Sequence, residues 1–404
     1  MLYLYTEPYT CYFYKRGKIL LYNTLDKKLT LYEVDDELRS IAEMLWKEKG
    51  VLIEEKISQL SSVAHFVDVL RRSFNGDILP IAKKQVMPAL FHPIVNNQRD
   101  FKRLQQVDKI SIDNQVMNYL EEVYIYLNGI DEKKEYPAFM QTPSYWGQNA
   151  DIDGRELIAW LGHVQNKQIS QINLLGGDVL NHIHFEEIID VARLKAHEIN
   201  LYYRYDLFQE EYLHKLDQHE IDKLYIIVPM YMVDEALLYS KVESLKNWNL
   251  KQLIFLVVSE EEYLCAESLI VQYDIKDYIF KPLYNGNNLS FFEKEVFLNI
   301  EDIEGLTPTK REIYANQNIN RNDFGRITIL PNGKIYANPN KEALGIIGRD
   351  RVHNVIYREL TEGHSWLYIR NDKPCSDCIY QWLCPSPSNY EQAIGKPNLC
   401  HVVP

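Results

Sequence analysis

Between residues 115 and 300, short apolar runs alternate with amphipathic segments, and no other feature of the chain limits its fold as much. The strand candidates are VYIYLNG, QINLLGG, INLYYRY, KLYIIVP, QLIFLVVS and YIFKPLY. Between them lie DGRELIAWLGHVQ, HFEEIIDVARLKAH, EEYLHKLDQH, DEALLYSKVESLKNW and EEYLCAESLIVQY, whose apolar residues recur at helical spacing. Six β/α units of roughly 25–30 residues predict an α/β fold with a parallel sheet. Right-handed crossovers curl such a sheet into a partial (β/α)6 barrel. An open flavodoxin-like sheet has similar spacing, and the period alone leaves both open.

The flanks read differently. In residues 1–105, CYFYKRGKILLYN and KKLTLYEV alternate apolar and polar residues between turn signals, which predicts short antiparallel strands. DDELRSIAEMLWKEKG places Leu38, Ile41, Ala42, Leu45 and Trp46 at helical spacing, opened by acidic residues and closed by Gly50. A strand-like VLIEE follows. ISQLSSVAHFVDVLRRSFNG then repeats the helical pattern with Val63, Phe66, Val67, Leu70 and Phe74. The order predicts a small winged-helix-like domain. Residues 301–404 hold a hairpin, GRITILPNGKIYANPN, closed by Asn332-Gly333, and then a cysteine-rich end.

Four of the six cysteines are spaced Cys375-x2-Cys378-x5-Cys384-x15-Cys400. No run approaches the roughly 18 apolar residues of a membrane span, and the first residues lack the pattern of a signal peptide. A cytoplasmic setting is therefore expected, where clustered cysteines serve as metal ligands rather than disulfides. A C-x2-C pair on a tight turn presents two sulfurs to one ion, and two more complete a four-thiolate set. Thiolates are soft, so zinc or an iron–sulfur cluster is expected. Cys11 and Cys265 read as ordinary buried thiols, and His401 as a surface or capping histidine. His163, His182 and His184, near Asp178 and Asp190, fit no standard metal spacing and read the same way. The net charge of −13 argues against a basic face for nucleic acid. The 29 tyrosines suit surfaces that contact peptides, or simply half-exposed strands. No phosphate loop, His-Glu-x-x-His or Gly-x-Ser-x-Gly is present.

C-x2-C-x5-C followed by a later cysteine, set in LCPSPSNYEQAIGKPNLCH, resembles the SPASM extension of radical S-adenosylmethionine enzymes. The resemblance is in particular to SPASM proteins of ribosomal-peptide maturation systems in Bacteroidales, and it covers roughly residues 115–404. In that family the extension carries auxiliary [4Fe–4S] clusters. The resemblance therefore implies one 4Fe-4S cluster on Cys375, Cys378, Cys384 and Cys400, with zinc as the alternative. Two-cluster members commonly carry a further cysteine after the hairpin, where Asn338 stands here, so at most one metal site is expected. A closed four-thiolate shell has no open position for substrate, which implies a structural role.

The same resemblance sharpens what is missing. The family carries C-x3-C-x2-C after the first barrel strand, three thiolates that leave one iron open for the cofactor. The segment IDEKKEYPAFMQTPSYWGQNADIDG contains no cysteine, and Asp131, Glu132 and Glu135 are hard donors poorly matched to such a cluster. INLLGGD resembles the family's Gly-Gly-Glu motif, which contacts the methionine amino group. Gly176 and Gly177 are kept and Asp178 replaces the glutamate, a degenerate cofactor site. A tight β/α turn needs glycine there in any case. S-adenosylmethionine binding is therefore not expected.

Residues 1–105 resemble, in layout, the PqqD-like recognition element of peptide-maturation enzymes, where a precursor leader adds as a strand to a sheet edge. That implies docking on KKLTLYEV through Leu29, Leu31, Tyr32 and Val34, with Phe66, Leu70 and Arg71 on the facing helix. Arg71 and Arg72 would meet acidic leader residues. A winged-helix dimerisation module is the alternative. Taken together, the resemblance implies a pseudo-enzyme that binds a precursor peptide and pairs, as a heterodimer, with an active radical S-adenosylmethionine/SPASM enzyme. Two other readings stay open: an enzyme acting through Gly176, Gly177 and Asp178 without the usual cluster, and a metal-binding adaptor with no peptide ligand.

Overall fold

The computed structural model describes residues 1–81, 116–130, 140–144, 147–246, 248 and 251–403. The expected domain boundary near residue 105, and Asp131, Glu132 and Glu135, lie outside the described residues. The N-terminal part holds two three-stranded antiparallel sheets. One has β1 (Leu2–Thr6) between β5 (Gly50–Ile53) and β6 (Gly76–Pro80). The other is a meander of β2 (Thr10–Lys15), β3 (Lys18–Asn23) and β4 (Leu29–Glu33). The helices Asp36–Glu48 and Ser61–Arg72 complete the unit. Asp35 starts the first helix by accepting the Leu38 amide at 3.0 Å, a side-chain N-cap.

The meander differs from the expected half-exposed strands. Tyr12, Ile19 and Leu21 pack on one face against Leu38, Leu45, Phe66 and Leu70 of the two helices. Cys11, Phe13, Leu20 and Tyr22 pack on the other against Ile303, Ile313, Tyr380 and Leu383 of the C-terminal part. Both faces are covered, which is why TCYFYK and KILLYN are nearly continuous apolar runs rather than clean alternations.

The six apolar runs of the middle segment form β7 (Glu122–Tyr126), β8 (Ile169–Leu175), β9 (Ala196–Arg204), β10 (Lys223–Pro229), β11 (Lys251–Val257) and β12 (Tyr278–Pro282). All pair in parallel, in strict order from β7 to β12. A doubly wound sheet reverses direction partway. Here every crossover steps the same way, so right-handed connections put the helices on one face, the order of a (β/α) barrel and not of a doubly wound sheet. That face carries Val123, Ile125, Ile172, Leu174, Ile199, Leu201, Ile226 and Phe255, packed on Leu157, Leu161, Ile188, Leu238 and Leu269. The opposite, inner face carries Tyr124, Tyr126, Leu175, Tyr202, Ile227, Ile254 and Leu256.

The expected hairpin exists, and it continues the same sheet. β13 (Arg326–Ile329) adds in parallel to the free edge of β7, and β14 (Lys334–Tyr336) and β15 (Gly345–Ile346) follow antiparallel, giving nine strands. Gly333 takes φ +76° in the turn, a left-handed conformation that favours glycine. Among the described residues, no helix is long and apolar enough to cross a membrane.

Asparagines hold the tail to the rest of the chain, and Asn316, Asn320 and Asn338 among them are buried. The Asn316 amide donates to the carbonyls of Trp382 (3.1 Å) and Cys384 (3.0 Å), and Asn320 and Asn322 donate to Pro387 O at 3.1 and 3.0 Å. Asn338, where a cluster ligand was considered, donates to Asp323 at 3.0 Å and to Asn389 at 2.7 Å. These bonds saturate carbonyls of a loop that has no ladder of its own.

Glu359, on the helix Val352–Glu362, accepts the amides of Ser365 (2.9 Å) and Trp366 (2.7 Å) while almost fully buried. Burial pushes its carboxyl up to about 7 from 4.5. The native state therefore favours the neutral acid. Its contribution is fully present below about 4.5 and is lost as pH rises through about 7. Glu359→Gln keeps the accepting oxygen and removes the charge. We expect it to raise stability at pH 8 by about 1–3 kcal/mol and to leave stability at pH 4.5 nearly unchanged. Urea unfolding at the two pH values checks this, and equal effects at both would contradict it.

Candidate functional site

Cys375, Cys378, Cys384 and Cys400 line one small cavity of about 30 Å³. Residues Cys375–Asp377 make a single helical turn, and the Cys378 amide donates to Cys375 O at 3.0 Å, the tight turn the C-x2-C spacing predicted. Cys400 is brought in from the far end of the tail. It bridges in parallel to Leu298, and the His401 amide donates to Leu298 O at 2.9 Å. His401 itself lies against Phe297 and makes a 2.7 Å contact with the Glu293 carbonyl, a surface position as expected. All six cysteines are free thiols.

The donor set fits a soft metal. Four thiols and no carboxylate line one cavity. Burial pushes the thiols of Cys378 and Cys400 up and that of Cys384 to about 12, so without a cation they stay protonated. The Val402 amide donates to Cys400 Sγ at 3.2 Å, and Arg370 Nη1 lies 3.9 Å from Cys375 Sγ. As the side chains stand, no three metal-competent groups among the described residues take up coordinating distances. Binding an ion would require the four cysteines around this cavity to move closer together. Zinc or an iron–sulfur cluster bound there would supply cross-linking of a loop-rich segment.

Arg370 backs the site. Its Nη2 pairs with Glu391 at 2.8 Å, with side chains only 11% and 8% exposed, and it also reaches Pro385 O and Ser386 O. Glu391 is the third residue of a capping box with Ser388, so one carboxylate both starts the helix Asn389–Ile394 and neutralises Arg370.

Gly176, Gly177 and Asp178 end β8 against the end of β7. Gly176 has φ +138°, and a Cβ there would stand 2.2 Å from Asn128 O. Asn128 donates to Asp178 O at 2.7 Å and accepts the Gly177 amide at 3.0 Å. The glycines thus meet a packing demand of the strand ends. The Asp178 carboxylate accepts from Tyr203 (2.9 Å), Tyr212 (3.1 Å) and Asn181 (2.7 Å). Three protein donors therefore fix its orientation at the end of β8. His163 ends the helix Gly154–Gly162, His182 contacts Ile152 O at 3.2 Å, and His184 precedes the helix Phe185–Lys195, so the three sit at caps and turns as read.

In the N-terminal unit, β4 pairs with β3 along one edge, and its other edge carries no partner strand among the described residues. Leu31 is 44% exposed, and Leu29 and Val34 are partly covered by the two cores. Tyr32 spans from β4 to the helix Ser61–Arg72, 3.0 Å from His65 Nδ1 and edge-on to Phe66 at 5.2 Å. Three helix residues assigned to a docking wall do other work. Phe66 and Leu70 are wholly buried, because the helix spends its single apolar face on the core. Arg71 is held by Asp77 of β6 at 2.5 Å.

A second cavity, of about 220 Å³, opens on the inner face of the parallel sheet. Tyr124, Tyr126, Lys281, Arg326, Asp323 and Tyr390 are among its walls. Arg326 pairs with Glu122 at 2.9 Å and lies 4.8 Å over the Tyr124 ring. Burial raises the Asp323 carboxyl to about 6. Two-point amide contacts fix its rim: Asn340 with the Met140 backbone (2.8 and 2.9 Å) and Gln141 with the Tyr284 backbone (2.8 and 2.7 Å). Such a space suits a polar, hydrogen-bonding group, and no cysteine lines it. Sequence reasoning passed over these residues. The one signal was the recurrence of tyrosine at alternate positions of β7, Tyr124 and Tyr126, on the face away from the helices.

No protein-family model matches the chain, and no curated protein matches it. Among solved structures, SuiB of Streptococcus suis bound to the precursor peptide SuiA is similar at TM-score 0.45 and 10% identity, over 99% of each chain. SuiB bound to S-adenosylmethionine is similar at 0.43 and 11%, over 100% of this chain and 99% of that one. BtrN in complex with AdoMet and 2-DOIA is similar at 0.32 and 10%, over 65% of this chain and 92% of that one. All three likenesses fall below a TM-score of 0.5.

Proposed function

We propose that this chain is a catalytically inactive, radical S-adenosylmethionine-like scaffold that binds the leader of a ribosomally made precursor peptide. It pairs with an active enzyme of that class, which supplies the cofactor and the radical. One observation carries the reading. Every cysteine is accounted for away from the inner face of the parallel sheet: four on the tail cavity, Cys11 in the meander core and Cys265 on the helix Glu260–Gln272. Reductive cleavage of S-adenosylmethionine needs a cluster with an open iron, and no cysteine thiolate stands there to hold one. The capture of Asp178 by three donors supports the same reading, and the open edge of β4 supports peptide addition as a strand.

The test uses the full chain, expressed alone and purified without oxygen. Iron, sulfide and zinc are measured per chain, and the protein is incubated with S-adenosylmethionine and a strong reductant. The expected result is about four irons and four sulfides, or one zinc, on the tail cysteines, with no 5′-deoxyadenosine formed. About eight irons, or cleavage of the cofactor by this chain alone, would overturn the reading. Binding of a fluorescently labelled ribosomal-precursor leader peptide, measured by fluorescence anisotropy, tests the peptide role separately.

A further inference from the structure

We infer that Lys15, on β2 of the N-terminal meander, is a positioning residue of the four-cysteine site. This rests on the metal reading proposed above and adds a residue from the opposite end of the chain. The Lys15 ammonium donates to Ser376 O at 2.6 Å and to the Gln381 side-chain oxygen. Ser376 lies between Cys375 and Cys378, and Gln381 midway between Cys378 and Cys384. One cation therefore pins both loops that carry the first three cysteines. Gln381 is itself a wall of the cysteine cavity, and its amide donates onward to Arg370 O and Asn371 Oδ1.

The placement makes electrostatic sense. Four thiolates around a divalent ion leave a net negative charge in a half-buried site, and fixed cations and N–H donors beside it offset that charge. Arg370 approaches from the tail and Lys15 from the meander. Cys378 also packs in one core with Cys11, Phe13, Leu20 and Tyr22 of the meander. The N-terminal sheet is thus one wall of the metal site, and ion binding and docking of the sheet stabilise each other. The neighbouring Arg16 makes a different kind of contact. It pairs with Asp377 at 2.7 Å while 55% exposed, where solvent and salt leave little net gain.

The experiment times metal release from the full chain. Protein carrying the metal it purifies with is challenged by excess EDTA without oxygen. Lys15→Met is expected to weaken retention about 10–100-fold, as removing an outer-shell partner does at other metal sites. Lys15→Arg, which keeps charge and donors, is expected to stay near wild type, as is Arg16→Gln. Limited proteolysis supplies a second readout, with the meander cut faster in Lys15→Met. If Lys15→Met is insoluble, Lys15→Gln, a shorter neutral donor, is read in its place. A folded Lys15→Met protein that holds its metal like wild type overturns the inference alone. A wild-type chain that purifies with neither iron nor zinc overturns the metal reading and this inference together.

Discussion

Cys378→Ser is expected to lose bound metal and soluble yield together. Cys378 is 9% exposed and belongs both to the cysteine cavity and to the core shared with the meander. From residue 371 onward the chain has one short helix, Asn389–Ile394, and no strand among the described residues. A loop of this kind has few backbone bonds of its own to offset the entropy of ordering it. A structural zinc contributes about 10–16 kcal/mol of apparent binding energy in small metal-folded peptides, more than the whole stability of a typical domain. Serine is a hard, weakly acidic ligand, so one substitution opens the shell. Soluble yield and metal per chain are the measurements, with Cys265→Ser, away from the cavity, as the control. A soluble, folded, metal-free Cys378→Ser protein would show that the tail needs no ion.

Arg370→Met is expected to cost about 3–5 kcal/mol, the range for removing one partner of a buried ion pair. Methionine replaces the aliphatic stem but leaves the Glu391 carboxylate buried without its cation. The carbonyls of Pro385 and Ser386 lose a donor as well. Adding Glu391→Gln to this variant removes the stranded charge, so part of the loss is expected to return. Chemical denaturation of the two variants and the wild type measures both terms. A loss under 1 kcal/mol for Arg370→Met would mean that water reaches Glu391 and that the tail is less tightly packed than it stands here.

Much of the fold is legible because local pattern and tertiary demand agree. The six runs from VYIYLNG to YIFKPLY each became a strand, since a parallel sheet covered on both faces selects unbroken apolar stretches. The order of those strands was not legible, because spacing is the same for a barrel and for a doubly wound sheet. β1 and β6 were also missed. LYLYT and GDILP are only five residues each and gain their identity from pairing with one another. At the candidate metal centre, spacing was enough to bring the four cysteines together. It could not show Lys15 or Arg370, whose positions depend on how distant segments dock. The surroundings of Asp178 were not legible either, because the three donors to its carboxylate lie on Asn181, β9 and the helix Tyr212–Gln218.

The burial of the meander on both faces also sets a timetable. Its second face is covered by residues near the other end of the chain: Lys15 and Ser376, which touch, are 361 positions apart. A ribosome adds about 5–20 residues per second, so roughly 20–70 s pass between the emergence of the two. Until Ile303 and Ile313 emerge, Cys11, Phe13, Leu20 and Tyr22 form an apolar patch without its cover, next to the open edge of β4, and Tyr380 and Leu383 complete that cover later still. Sticky faces and bare strand edges are what holdase chaperones bind and what nascent chains use to aggregate. A chain stopped short of Ile303 keeps the whole of that patch for as long as it survives.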